Sequence, residues 1–384
     1  MKVYRKEQFE IPEHKHYFCG HSLGPISKSA KLALLNGAHQ WETEQVCAWE
    51  QSQWIDLPEI CGQKIAPLIG ASHADVIVCD NTTLNLFKVL LCALSINPKR
   101  NIILTQIDNF PTDNYIAQSV ANLKDVTYIA LPKEDILTAL NSDVAVLLLT
   151  HVDYLSANKW DMAHINQMAK AKGIVTIWDL SHSVGVMNLH CAQNEVDFAV
   201  GCTYKYLNGG PGAPSFIYVN PKHQDHLPLQ GWMGHATPFA FLQTFHPAIG
   251  VKRFLSGTPS ILSMKTLLGA LEHFDNVDLP CLEKKSQALT TYLIEKCAQF
   301  LPAFKCLSPQ DPLQRGSHVA FYHPDAQDLV KQFIKQGIIV DYRNPNVIRF
   351  GISPLYLNKA DIDNALAVIQ KCLQSAKHSV TGIT

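Results

Sequence analysis

From about residue 57 to 220, short apolar runs rich in β-branched residues alternate with amphipathic stretches, a pattern open to few folds. The spacing predicts strands at DVIVC (75–79), NIILT (101–105), VTYIAL (126–131), VAVLLLT (144–150), IVTIWD (174–179), DFAVGC (197–202) and APSFIYV (213–219). Helices are predicted at LPEICGQKIAPLI (57–69), TTLNLFKVLLCALS (82–95), TDNYIAQSVANL (112–123) and MAHINQMAKAK (162–172). Strands with little apolar/polar alternation, separated by helices, describe an α/β protein with a mostly parallel sheet covered on both faces. In such sheets ligands collect beyond the C-terminal ends of the strands, so chemistry is expected after NIILT, VAVLLLT, IVTIWD and DFAVGC.

A stretch punctuated by Pro and Gly, Leu227 to Pro259, interrupts the regularity. Beyond it come helices over about 261–274 and 282–301, then SHVAFYH, DAQDLVKQFIKQ, IIVDY, NVIRFG and KADIDNALAVIQKCL, which read as strand, helix, strand, strand and helix. This tail is expected to form a smaller α+β domain over 261–384. A large domain is expected over 46–260, with residues 1–45 as an arm against the small one.

With 32 basic and 33 acidic residues among 384, no charge excess favours nucleic acid or an anionic membrane as partner. The eleven cysteines are odd in number and form no CxxC pair, which suits reduced thiols in the cytoplasm rather than a disulfide frame or zinc site. The N-terminus lacks the apolar core of a secretion signal, and no apolar run is long enough to span a bilayer. The His-bearing pieces EHKHYF and HPDAQ lack partners at metal-ligand spacing, so no metal is expected.

The most informative passage is WDLSHSVGVMNLHCAQNEVDFAVGCTYKYLNGGPG, Trp178 to Gly212. Asp179 ends one predicted strand and Lys205 follows the next, so a carboxylate and an amine share one rim of the sheet. Pyridoxal 5'-phosphate (PLP) needs both: a lysine to bond its aldehyde, and a carboxylate to keep its ring nitrogen protonated. Gly209, Gly210 and Gly212 permit a tight backbone turn after the lysine. Taken singly, Lys205 is an ordinary surface lysine and Asp179 a turn or capping residue. Their joint placement, with His182 one turn on and Tyr204 beside the lysine, is what points to PLP. GGPG follows the lysine and opens no helix after a strand, so it is not a dinucleotide fingerprint.

DLSHSVG followed by DFAVGCTYKYLNGGPG resembles the PLP-lysine region of kynureninases, fold-type-I enzymes of the aminotransferase class V group. Other motifs match in order: FCGHSLGP (18–25), TTLNLF (82–87), FPTD (110–113), GWMGH (231–235), FLSGTPSI (254–261) and RFGISPLY (349–356). The resemblance implies the PLP-dependent transferase fold of type I, with a seven-stranded sheet between helices. It also implies hydrolysis of L-kynurenine or 3-hydroxykynurenine to (3-hydroxy)anthranilate and L-alanine.

By the same resemblance, Thr82 and Thr83 meet the PLP phosphate at a helix N-terminus. Phe110 stacks on the pyridine ring, Asp113 and His182 lie beside it, Asp179 pairs with its nitrogen, and Ser156 supplies a hydroxyl. Tyr204 reaches the phosphate and shares proton transfer with Lys205. Trp232 and Thr258 arrive from a neighbouring subunit, which implies a homodimer with shared sites. Arg349 is expected to clamp a substrate carboxylate bidentately, and Ser22, on the GHSLG loop, to be a substrate-side hydrogen-bond donor.

The substrate side departs from the family. His21 stands where GNSLG has asparagine, VCAWEQSQW has Cys47 or a neighbour where a ring-contacting histidine is expected, and DYLSA (153–157) puts Leu155 at a basic position. These departures leave open a PLP-dependent lyase or desulfurase acting on another amino acid. A catalytically silent subunit of the same fold is a further alternative, which retention of Lys205 and Asp179 disfavours.

Overall fold

The computed structural model describes residues 4–381. Strand β1 (His16–Tyr17) lies in the N-terminal arm. Then come β2 (Val76–Cys79), β3 (Ile102–Gln106), β4 (Thr127–Leu131), β5 (Val144–Thr150), β6 (Val175–Asp179), β7 (Phe198–Gly201) and β8 (Ser215–Val219). These seven form one sheet in the order β2-β8-β7-β6-β5-β3-β4. β3 to β7 run parallel to one another, and β8 is antiparallel both to β7 and to β2. The predicted apolar runs therefore all become strands of the sheet.

Successive side chains of each strand enter different cores. Ile77, Val146, Leu148 and Ile177 pack under the helices Thr82–Ile96 and Pro111–Lys124. Val76, Val78, Leu147, Leu149 and Trp178 pack on the other face, where Met162–Ala171 and Ile261–Leu271 lie. With both faces covered, β5 is buried along its whole length, which explains its unbroken apolar sequence. Truncating Leu148 to alanine here costs about 2–5 kcal/mol. Side chains cap the helix starts: Asn81 Oδ1 accepts from Leu84 N at 3.0 Å, and Asp161 Oδ1 from His164 N at 3.1 Å.

The C-terminal part holds β9 (Lys305–Cys306), β10 (His318–Tyr322), β11 (Ile338–Ile339), β12 (Asp341–Arg343) and β13 (Val347–Gly351). β12-β13-β10-β9 form an antiparallel sheet accompanied by the helices Leu279–Phe300, Ala326–Lys335 and Lys359–Thr381. IIVDY, read as one strand, divides at Val340: Ile338–Ile339 pair with β1, whereas Asp341–Arg343 pair with β13. The expected helix over 261–274 stops at Leu271 and finishes as a 3-10 turn.

A 17-residue helix, Lys28–Glu44, is not singled out by the sequence pattern. Only Ala30 and Gly37 are buried on it, so no apolar stripe marks it out. It is held beside Ile261–Leu271, where Ser29 Oγ donates to the Gly269 carbonyl at 2.7 Å.

Candidate active site

The ends of β5, β6 and β7 converge on one rim. Asp179, the last residue of β6, pairs in register with Thr150 of β5 and is buried. Its Oδ1 accepts the Ser181 N–H at 2.7 Å, which orients the carboxylate. β7 ends at Gly201, and the loop beyond it carries Lys205, also buried. Lys205 Nζ lies 3.2 Å from His182 Nε2, 5.7 Å from the centre of the Phe110 ring and 5.9 Å from that of Tyr204.

His182 is fully buried, and burial together with the positive charge of Lys205 holds its imidazole well below the ordinary range. A neutral ring with its proton on Nδ1 can accept from the lysine ammonium through Nε2. The Cys202 side chain, and then burial, push the Tyr204 phenol up, so its proton stays in place at neutral pH.

Two loops close on this lysine. Gly24 N donates to the Tyr204 carbonyl at 2.8 Å. A Cβ on Gly24 would stand 2.3 Å from the Lys205 carbonyl oxygen, so the GHSLG loop can approach only as glycine. Gly210 adopts φ +93°, the left-handed turn foreseen after the lysine.

Asp113 sits in the first turn of Pro111–Lys124, fully buried. Thr150 Oγ1 donates to its Oδ2 at 3.0 Å, and its Oδ1 has no hydrogen-bond partner. Burial, and then the adjacent Asp179 carboxylate, raise its carboxyl well above the usual range. Both influences oppose its ionisation, as for a carboxyl pair that cannot both ionise cheaply.

Thr82 opens the helix Thr82–Ile96, with its Oγ1 3.2 Å from Ser215 Oγ, and Thr83 follows it exposed. Lys88 in that helix is fully buried and donates to Asp80 Oδ2 and to the Phe254 carbonyl, each at 2.6 Å. The Phe254 loop runs on to Thr258, which is exposed, as is much of Trp232. Within one chain, no described hydrogen bond or ring contact joins Trp232 or Thr258 to Lys205. Ser156 Oγ donates to Asp153 Oδ1 inside its own turn.

Arg349, the expected carboxylate clamp, is tied into hydrogen bonds within the chain. Arg349 of β13 stands opposite Asp341 of β12 in register, and its Nε and Nη2 donate to the two Asp341 oxygens at 2.8 and 2.5 Å. Its Nη2 also reaches Ser22 Oγ at 3.2 Å, and its Nη1 donates to the Tyr154 carbonyl. In this chain the guanidinium expected to clamp a substrate carboxylate is met by the Asp341 carboxylate. Asp341, Arg343 and the buried His318, which stacks on His21 at 5.2 Å between ring centres, are residues that sequence reasoning missed. The signal available was DYR, whose cross-strand register to RFG is not visible in one dimension.

These residues suit PLP. A buried lysine lies beside an aromatic ring, an ionisable carboxylate stands on the neighbouring strand end, and the free N–H groups of a helix start accompany them. Fold and site together define a fold-type-I PLP-dependent enzyme. The fold matches a cysteine desulfurase from Thermococcus onnurineus NA1 (TM-score 0.81, 16% identity, 96% of this chain and 97% of that one). It also matches a cystine C-S lyase solved with cysteine persulfide (TM-score 0.79, 19% identity, 93% and 98%). At such identities these neighbours speak for the fold alone.

Residues 282–369 match the kynureninase C-terminal domain, and residues 40–192 match the DegT/DnrJ/EryC1/StrS aminotransferase family. A kynureninase from Deinococcus radiodurans is 41% identical over 97% of this chain and 93% of its own length. One from Pseudomonas fluorescens is 37% identical over 98% and 95%. The chain belongs to the kynureninase family.

Proposed function

We propose that this chain hydrolyses the Cβ–Cγ bond of L-kynurenine or 3-hydroxykynurenine, giving (3-hydroxy)anthranilate and L-alanine, with PLP held at Lys205. The observation that carries the reading is the placement of a buried Asp179 at the end of β6 and a buried Lys205 in the loop beyond the adjacent parallel strand β7. Near-full-length kinship to kynureninases supports the choice of substrate.

PLP, when bound, supplies an electron-accepting ring and an aldehyde. Asp179 provides the carboxylate for the ring nitrogen, and Asp113, whose ionisation is opposed by burial and by the Asp179 charge, stands next to it. Phe110 covers one face of the site and keeps water from the lysine. Lys205 Nζ is the base for the Cα proton, and His182 Nε2, 3.2 Å away, accepts from the ammonium so formed. Tyr204, which keeps its phenolic proton, is placed to return one to the alanine carbon. Thr82, Thr83 and the helix start are the phosphate site, and Ser156 closes the turn after β5.

We infer a cytoplasmic homodimer in which Trp232 and Thr258 complete the partner's site. Exposed apolar residues, Trp41, Val46, Phe241 and Ile249 among them, support a covered face, with Ile249 as much as 92% exposed. All eleven cysteines are unpaired, which suits a reducing compartment. No helix among the described residues is long and apolar enough to cross a membrane. We also propose the domain division 1–45, 46–260 and 261–384, supported by the pairing of β1 with β11.

The test is to add L-kynurenine and 3-hydroxykynurenine to the PLP-loaded protein and follow anthranilate-type fluorescence and alanine release. A protein that carries its cofactor, seen by absorbance, yet yields neither product is not a kynureninase.

A further inference from the structure

Three histidines lead away from Lys205 into the small domain. His182 Nε2 meets the lysine amine at 3.2 Å, and its ring centre lies 5.6 Å from that of His318. The His318 ring stacks on His21 at 5.2 Å, and His21 Nε2 stands 3.3 Å from Asp341 Oδ1, off the hydrogen-bond direction. All three histidines are buried, whereas the Asp341 side chain is 15% exposed. The series therefore runs from the reacting amine to an edge that touches solvent.

The backbone builds this stack. His318 opens β10 opposite Gly351 of β13 in register, and a Cβ at Gly351 would collide with His21 Nδ1. Both ring nitrogens of His21, both of His318 and Nδ1 of His182 are buried without a hydrogen-bond partner among the described residues. Buried polar atoms are nearly always paired, with protein or with ordered water. Neighbouring bare nitrogens are the partners that a buried water needs. The charges of Lys205 and Arg349 face these rings, which disfavours a metal ion between them. Burial holds all three imidazoles below their ordinary range. A neutral imidazole can take a proton on one nitrogen while releasing one from the other.

The proposed cleavage needs such an outlet. At neutral pH, zwitterionic kynurenine and water become zwitterionic L-alanine, an anthranilate anion and a proton, yet Lys205 is buried.

We propose that His182, His318 and His21, with water between them, form a proton path from Lys205 to the solvent edge at Asp341. Each ring gains one N–H bond as it loses another, so its charge is unchanged and the proton lost by Nζ appears in solvent. Asp341, paired with Arg349, keeps its charge and marks the exit. This deepens the reading of a kynurenine-cleaving PLP site and rests on it.

The experiment compares PLP-loaded wild type, His318→Phe, which keeps a ring without nitrogen, and His318→Ala with and without added imidazole. Each is given L-alanine in deuterium oxide, and exchange of the alanine Cα proton is followed by NMR. Binding of L-alanine is read from the cofactor absorbance, and equal cofactor loading shows that each variant is folded. Exchange should fall by about a hundredfold in His318→Phe, as for loss of a proton-transfer group. The apparent Kd for L-alanine should stay level, and imidazole should restore exchange in His318→Ala but not in His318→Phe. A crystal structure of the PLP-loaded wild type should show water within hydrogen-bond distance of a His318 ring nitrogen.

Wild-type exchange in His318→Phe overturns the path, and so does a wild type that exchanges nothing. A Kd that rises in step with the lost exchange, no rescue by imidazole, or a dry His318 also overturns it. Should all the expected results appear in a protein that cleaves no kynurenine, the proton path stands and the kynureninase activity falls.

Discussion

Lys205 Nζ and His182 Nε2 lie 3.2 Å apart, both on buried residues, so an imidazole without charge solvates the amine that does the chemistry. Replacing His182 with leucine strands a buried ammonium. Without cofactor, His182→Leu should lower stability by about 1–3 kcal/mol, read from urea midpoints. A midpoint equal to wild type would show that the contact contributes nothing.

Asp113 and Asp179 predict a pH effect of definite sign. Burial and the Asp179 charge raise the Asp113 carboxyl in the folded state, so this group favours folding most at pH below its unfolded value of about 4. That contribution is lost as pH rises from there through the raised folded value. Cofactor-free Asp113→Asn should therefore lose less thermal stability than wild type as pH rises from about 4 through the raised folded value. Parallel melting curves across that range would refute the raised Asp113 carboxyl.

His21 acts in the opposite sense. Burial first, then the Arg349 charge, lower its imidazole from 6.5 to about 4, although Asp341, 3.3 Å from Nε2, pulls the other way. Its neutral form is also faced by His318 and Arg343. The stability it confers is complete above pH 6.5 and disappears as pH falls toward 4. The difference amounts to about 3 kcal/mol at roughly 1.4 kcal/mol per pH unit. His21→Asn, with the residue found in the family motif, should unfold at lower pH than wild type. An unmoved acid midpoint would contradict this.

Lys88 joins the helix start Thr82–Ile96 to the loop that leads to Thr258. Besides Asp80 and the Phe254 carbonyl it touches Cys79 Sγ at 3.3 Å, and Ser256 Oγ donates to the same Asp80 oxygen at 2.9 Å. Lys88→Met leaves Asp80 without its buried cation and should cost about 3–5 kcal/mol. The milder Ser256→Ala should fold normally yet hold PLP more weakly, by several-fold in Kd on dialysis. Pyridoxal, lacking the phosphate, should bind both wild type and Ser256→Ala alike.

Much of the large sheet was legible because its strands, covered on both faces, are written as unbroken apolar runs such as VAVLLLT. Asp179 and Lys205 were legible for the same reason, since each follows the end of such a run. The helix Lys28–Glu44 was not, because it buries small residues instead of an apolar stripe. Neither was the division of IIVDY, which depends on two different pairing partners for its two halves.

Local patterning settled the order of elements, the rim where chemistry belongs, and the lysine and carboxylate on it, because periodicity and residue type are properties of neighbours along the chain. Which carboxylate pairs with Arg349, which carboxyl is pushed toward its neutral form and which imidazoles are held below their ordinary range came from the packed molecule. Those outcomes depend on burial and on charges contributed by residues far apart in the chain, as when β12 sets Asp341 directly across from Arg349.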